Sequence, residues 1–586
     1  MILREDNFMR CRDILEDPAN KDTLVARLYR RAMATQEKLA DSLVERLKHI
    51  QDHVKDGETF QTVAGELLQQ GISSFCHVCK SEDAKNPNLR VPHIMQAGLG
   101  LPDMSYYTER EDLHEDYKQY IVKITKIFGY DVDAQAILDL EKKIAAMHMT
   151  RTDRRDPDKV YNKKDYSSEV APLLPQYFTA LNLPHTKMSY VIVENPTLLD
   201  FLKDFLPTVA GTTLRDYLTF QVANKFASIS TEEAIEAHFD FNGKKLNGNK
   251  VIDPRWKRAV NQVEKYIGDE LGKLYVAKHF PMEKQKECLN MVDDLKDSLG
   301  ETLKSSTWMS EETKKQALEK LNKFGVKIGV PEEWHSIDGL WPQQLTDESV
   351  ALPDAALEWY KWDWEHEEVA KFYTPPERKL WHMTPQTVNA YYHPEMNEIV
   401  FPAGILQEPF FGLGSYEANV GAIGVVIGHE MTHGFDDQGR KYNSAGELKD
   451  WWTEADGSEF DARAKVVEEH YGSQLVLGKP VNGKLTLGEN IADIGGLKLA
   501  LRAARKHYGK DLTVEQYKRF FEAYALIWRM LIRDELALKF LTIDPHSPCH
   551  LRINAALAHI DEFYATFDVK EGNGMFLPKE KRMNIW

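Results

Sequence analysis

The chain has 586 residues, 42% hydrophobic and 28% charged, with a formal charge of −17. That length exceeds what one hydrophobic core serves, so two or more domains are expected in a soluble globular protein. The acidic balance argues against a nucleic-acid binder, whose surface is basic. No apolar run approaches the roughly 18–20 residues of a membrane span, and five cysteines in so long a chain build no disulfide framework.

The chain opens on MILREDNFMRCRDILED, charged from Arg4 onward and unlike a signal peptide. Residues 23–50 place apolar side chains at helical spacing with charges between them. DYKQYIVKITKIFGY, DAQAILDLEKKIAAMHM and WKRAVNQVEKYIGDELGKLYVAKHF repeat that habit, so the first half reads as mostly helical. Cys76 and Cys79 form a CxxC, but no second pair completes a zinc ribbon. Its surroundings read as helix rather than a thioredoxin-like setting, so the pair is taken as incidental. In MSEETKKQALEKLNKFG, Ser310 can cap a helix whose first turn holds Glu312. KNPN, GLGLPD, DRRDPD and FDFNGKKLNGN read as turns or loops.

Character changes near residue 350, where a domain boundary is expected. VNAYYHPEMNEIVFPAGILQEPFF has the β-branched and aromatic content of strands around a turn. A small-residue helix, NVGAIGVVIGHEMTHGF, follows. A second helix, GENIADIGGLKLALRAARKHY, comes after a polar region.

His429, Glu430 and His433 spell H-E-x-x-H. At i and i+4 on a helix, both imidazoles face one ion. Zinc suits imidazole and keeps one position open for water, from which the adjacent Glu430 can take a proton. The preceding run VGAIGVVIG sends these polar groups into the core, where they need partners. Asp436, three residues past His433, can serve one imidazole. A third protein ligand is required; Glu489 and Asp493 share a helix face four residues apart, so one can bind metal while the other orients a histidine.

VIGHEMTHGFDDQGR, GENIADIGG, VNAYY, FPAGILQEPFF and DPHSPCHLRINAALAHIDEF together resemble the neprilysin family of zinc metallopeptidases. GLGLPDMSYY, DRRDPDKVYNK, RWKRAV and WMSEETKKQALEKL are similar to that family's helical half, so the likeness spans nearly the whole chain. It implies a mainly α fold with a small β portion (α+β). A helical lid domain (1–352) would face a thermolysin-like catalytic domain (353–586) across a closed cavity, with a crossing segment near 153–168. It implies one Zn2+ per chain held by His429, His433 and Glu489, and Glu430 as general base. Asp493 would orient His429, and Asp436 would orient His433. Asn389 and the Ala390 backbone would hold the substrate main chain as an added strand. His546 and Arg552 would steady the oxyanion and a substrate carbonyl. Both would sit in a loop-like stretch, and neither would be needed for zinc. Ile405, Phe410, Val425, Val426 and Trp528 would line an apolar pocket for the residue just after the scissile bond.

The implied function is a zinc endopeptidase acting on short peptides, with no nucleic-acid partner and no membrane span in this chain. Relatives begin with a Phe-Tyr and Gly-x-Trp segment ahead of the stretch like LREDNFMRCRDILE, so such a segment is expected to be missing here. The alternative function rests on that: a zinc-stabilised, catalytically weak or inactive peptide-binding protein. Extracellular animal members carry cysteines where this chain has Arg529, Val569 and Met583. Low cysteine and no signal peptide thus favour an intracellular location.

Overall fold

The computed structural model describes residues 2–184, 188–340 and 350–586. Helices dominate, joined by two small sheets and a two-stranded ribbon. The expected cap is present: the Ser310 hydroxyl accepts from Thr313 N, and Glu311 and Glu312 occupy the first turn of the helix Glu311–Asn322. The predicted helix over 23–50 is two helices, Leu24–Met33 and Asp41–His53. Neither Gly nor Pro marks that break. The Ala34 carbonyl is instead taken by Arg255 from a distant helix, a tertiary bond that local spacing does not register.

The helical reading of the first half also missed a sheet. Strands β1 (Cys76–Asp83), β2 (Asn86–Gln96), β3 (Asn162–Asp165) and β4 (Tyr190–Val193) pair in the order β1-β2-β4-β3. The CxxC therefore lies on a strand, not a helix. All five cysteines are free thiols, and burial pushes both Cys76 and Cys79 up to about 12, which leaves them inert near neutral pH. FDFNGKKLNGN, read as a loop, contains a wide helical turn over Phe239–Lys245.

The second sheet comprises β5 (Gly325–Gly329), β6 (Tyr391–His393) and β7 (Glu398–Pro402), in the order β5-β7-β6. β5 runs parallel to β7, and β6 is antiparallel to it, so β6 is an edge with one free side. The stretch around 388–411 thus forms the strands expected of it. Its parallel partner β5 comes from before residue 350. The Arg155 guanidinium, in the segment expected to cross between halves, donates to the Leu485 carbonyl at 2.8 Å. No helix among the described residues is long and apolar enough to cross a membrane.

Candidate active site

The H-E-x-x-H lies on the motif helix Val425–His433, and the two acids lie on the helix Leu487–Tyr508. The two helices touch backbone to backbone. A Cβ on Gly428 would stand 2.9 Å from Gly496 Cα, and one on Gly496 would stand 2.5 Å from the Val425 carbonyl oxygen. The small-residue runs therefore permit a close crossing. That crossing delivers Glu489 and Asp493 to the histidines, whose chain neighbours alone could not supply them.

At the crossing, His429 Nε2 and His433 Nε2 are 3.0 Å apart. Glu489 Oε2 is 3.2 Å from the first and 3.4 Å from the second. A tetrahedral zinc with bonds of about 2.0–2.1 Å holds its ligand atoms about 3.3 Å apart, so this donor set has the right spacing. Glu489 Oε2 is buried with no aligned donor, an orphaned oxygen that a cation would satisfy. One ligating atom from each of His429, Glu430 and His433 lies within 4.8 Å of the others.

Both imidazoles are oriented from behind. His429 Nδ1 donates to Asp493 Oδ1 at 2.8 Å, and His433 Nδ1 donates to Asp436 Oδ2 at 2.7 Å. Each bond fixes the tautomer that turns Nε2 toward the shared centre. Asp436 is buried, as a partner of His433 should be. Its other oxygen accepts from Gln438 N and Gly439 N at 2.9 and 2.6 Å. Position 439 admits only glycine, because a Cβ would fall 1.6 Å from the His433 carbonyl oxygen.

Two profiles of Peptidase family M13 match the chain, over residues 1–331 and 389–583. The chain belongs to peptidase family M13. It is a zinc metallopeptidase of the neprilysin type. Endothelin-converting enzyme 1 of Cavia porcellus is 34% identical over 90% of this chain and 73% of its own length. Neprilysin-3 of Drosophila melanogaster is 32% identical over 86% and 68%. The inhibitor complex of Mycobacterium tuberculosis zinc metalloprotease ZMP1 is 33% identical, covers 100% of this chain and 93% of its own, and superposes with a TM-score of 0.91. The open state of ZMP1 superposes with a TM-score of 0.69.

Around the M13 metal helix, Arg552 departs from expectation. It lies on the helix Cys549–Leu557, buried, and grips Asp493 with two bonds of 2.7 and 2.8 Å. Its guanidinium lies 3.7 Å from the centre of the Trp528 ring. Burial pushes the Asp493 carboxyl up, but Arg552 and the His429 bond hold it at about 2. Arg552 therefore sits on a helix rather than in the expected loop, bonded to the carboxylate behind His429. His546 does lie in the loop before that helix. Its side chain is 43% exposed, so it can meet a substrate, and its Nε2 is 3.2 Å from Glu489 Oε2. Asp544 pins its Nδ1 at 2.8 Å.

Asn389 is exposed and Ala390 buried, directly ahead of edge strand β6. Ile405, Val425 and Val426 are buried, whereas Phe410 and Trp528 are half-buried and join the same apolar cluster. Sequence reasoning missed Asp544, Arg155 and Lys320. Arg155 reaches within 3.5 Å of Asp437, whose carboxyl is raised to about 6 by burial and by Asp436. Lys320 had a signal: it falls on the same helix face as Thr313, Ala317 and Leu321, where an unpaired lysine is out of place.

Proposed function

We propose that this chain is a zinc-dependent endopeptidase that cleaves short peptides and prefers a large hydrophobic residue just after the scissile bond. The reading is carried by one observation: three donor atoms at tetrahedral spacing, with both imidazoles backed by buried carboxylates. His429, His433 and Glu489 would hold one zinc ion per chain. When bound, zinc supplies Lewis acidity, polarising the scissile carbonyl and acidifying the attacking water.

The chain's own residues do the rest. A peptide laid against the free side of β6 adds a strand, its main chain held by Asn389 and the Ala390 backbone. The apolar wall of Ile405, Phe410, Val425, Val426 and Trp528 takes the side chain after the cleaved bond. Glu430 takes the proton from the attacking water and returns one to the leaving amine as the C–N bond breaks. His546 Nε2 donates to the oxygen that gains negative charge, with its ring held by Asp544. Arg552 steadies a substrate carbonyl and, through Asp493, the His429 ring. The lid half (1–352) would restrict entry to short peptides, leaving 353–586 with most of the chemistry.

The test combines metal analysis with a quenched-peptide assay, with and without chelator. Glu430→Gln should keep zinc near one per chain and lose turnover by roughly 10²–10⁴-fold. Near-normal turnover in that variant removes the role assigned to Glu430. Saturable peptide binding without product, in wild type with zinc bound, would favour the peptide-binding alternative.

A further inference from the structure

Lys320 is wholly buried beneath the loop that follows the metal helix. Its Nζ donates to the carbonyls of Gly434, Gly439 and Tyr442, each at 2.7 Å. An ammonium has three donors, so these bonds saturate it. The cation also lies 5.6 Å from the Phe435 ring centre and 5.9 Å from that of Tyr392. Its own carbonyl accepts from Asn397 Nδ2 at 3.0 Å, which ties it to the sheet beside the site.

Among the described residues no carboxylate lies within ion-pair distance of it, and its bonds go to carbonyls. Burial pulls its pKa down to about 7, with the charge of Asp436 opposing. A buried cation bonded to neutral carbonyls is a costly way to fill space; an apolar side chain would avoid burying charge but would take the shared donor from three carbonyls. What the ammonium does that an apolar chain cannot is gather three carbonyls of 434–442 to one point. That loop curls around the Asp436 carboxylate. Gly439 is pinned from both sides, its N–H on Asp436 at 2.6 Å and its carbonyl on Lys320 at 2.7 Å. Asp436 in turn holds His433 Nδ1.

We propose that Lys320 is a positioning residue for the metal centre: by knotting the loop 434–442 it keeps Asp436 on His433 and so keeps His433 Nε2 aimed at the ion. The proposal rests on the zinc site assigned above. Its path runs from the helix Glu311–Asn322 through backbone to a carboxylate and then to a ligand, so the effect must appear in metal binding rather than in substrate contacts.

The experiment measures zinc affinity of the full chain against a competing chelator, and the visible spectrum of the cobalt-substituted protein. Lys320→Met is compared with wild type, Asp436→Asn, the double variant, and Lys323→Met as an exposed control just past the end of that helix. Lys320→Met should weaken zinc by roughly 10–100-fold, the scale of a lost partner behind a ligand, and alter the cobalt band. Asp436→Asn should do the same, and the double variant should add little, because both act on one bond. KM of the zinc-saturated variant should stay near wild type while kcat falls.

A folded Lys320→Met with wild-type zinc affinity and an unchanged cobalt spectrum overturns the proposal. So does full multiplication of the two single losses. If Lys320→Met does not fold, Lys320→Gln is read in the same way, with weakened zinc supporting the role and unchanged zinc ending it. Wild type and Lys323→Met both failing to bind zinc would overturn the zinc reading itself, and this proposal with it.

Discussion

Arg552→Met is the perturbation with the most to reveal, because a side chain proposed to hold substrate also grips the carboxylate behind a proposed metal ligand. The guanidinium makes two bonds to Asp493, at 2.7 and 2.8 Å, and both residues are buried. Removing one partner of such a pair strands the other charge in the interior, at about 3–5 kcal/mol. Asp493→Asn strands Arg552 and should cost a similar amount. The double variant strands neither, so it should fall short of the sum by up to about 3 kcal/mol. Asp493 also holds the His429 ring. Arg552→Met should therefore weaken zinc by roughly 10-fold or more as well as raise KM. Urea unfolding of the four proteins, with chelator competition on each, measures both quantities. Costs that add to within about 0.5 kcal/mol would refute the coupling. Unchanged zinc affinity in folded Arg552→Met would refute the link from guanidinium to metal.

His546→Phe should keep zinc and lower kcat by roughly 10²–10³-fold, the effect of one lost oxyanion donor, as steady-state kinetics with metal analysis would show. Trp528→Ala removes a pocket wall and the ring beneath Arg552, so kcat/KM should fall most for peptides with a large apolar residue after the cleaved bond; a peptide-library digest reads this out. Glu141 is wholly buried, and burial raises its carboxyl to about 7 against the donors Tyr117 and Tyr107. Between the unfolded value of 4.5 and about 7 the folded state keeps a proton that the unfolded chain releases, so this group costs stability as pH rises through that window. Glu141→Gln should leave stability unchanged near pH 4 and raise it by up to about 3 kcal/mol above pH 7, checked by unfolding across pH.

The spacing of His429 and His433 determines that both can face one ion, because four residues on a helix return to the same side. The same spacing in Glu489 and Asp493 determines that one acid can ligate while the other orients. Ser310 as a cap and β6–β7 as strands around a turn were equally local, and equally readable. The likeness of many separate motifs to one family then carried the fold class and the activity.

Spacing left open which acid meets which histidine; the family likeness implied the pairing, and the tertiary structure has it. His429 and Asp493 are 64 residues apart, and they meet because glycines let two helices touch. The first sheet was invisible for a related reason: the β1 sequence CHVCKSED carries no clean alternation, and its strand state comes from pairing with β2. The pairing of Arg552 with Asp493, 59 residues away, likewise appears only in the folded chain. Lys320 and Gly434 lie 114 residues apart, and Arg155 and Asp437 lie 282 apart. A hydrogen bond between distant segments leaves no periodic trace in either one. The chain alone therefore offered candidate ligands and a candidate base, while the folded structure added Asp544, Arg155 and Lys320 around them.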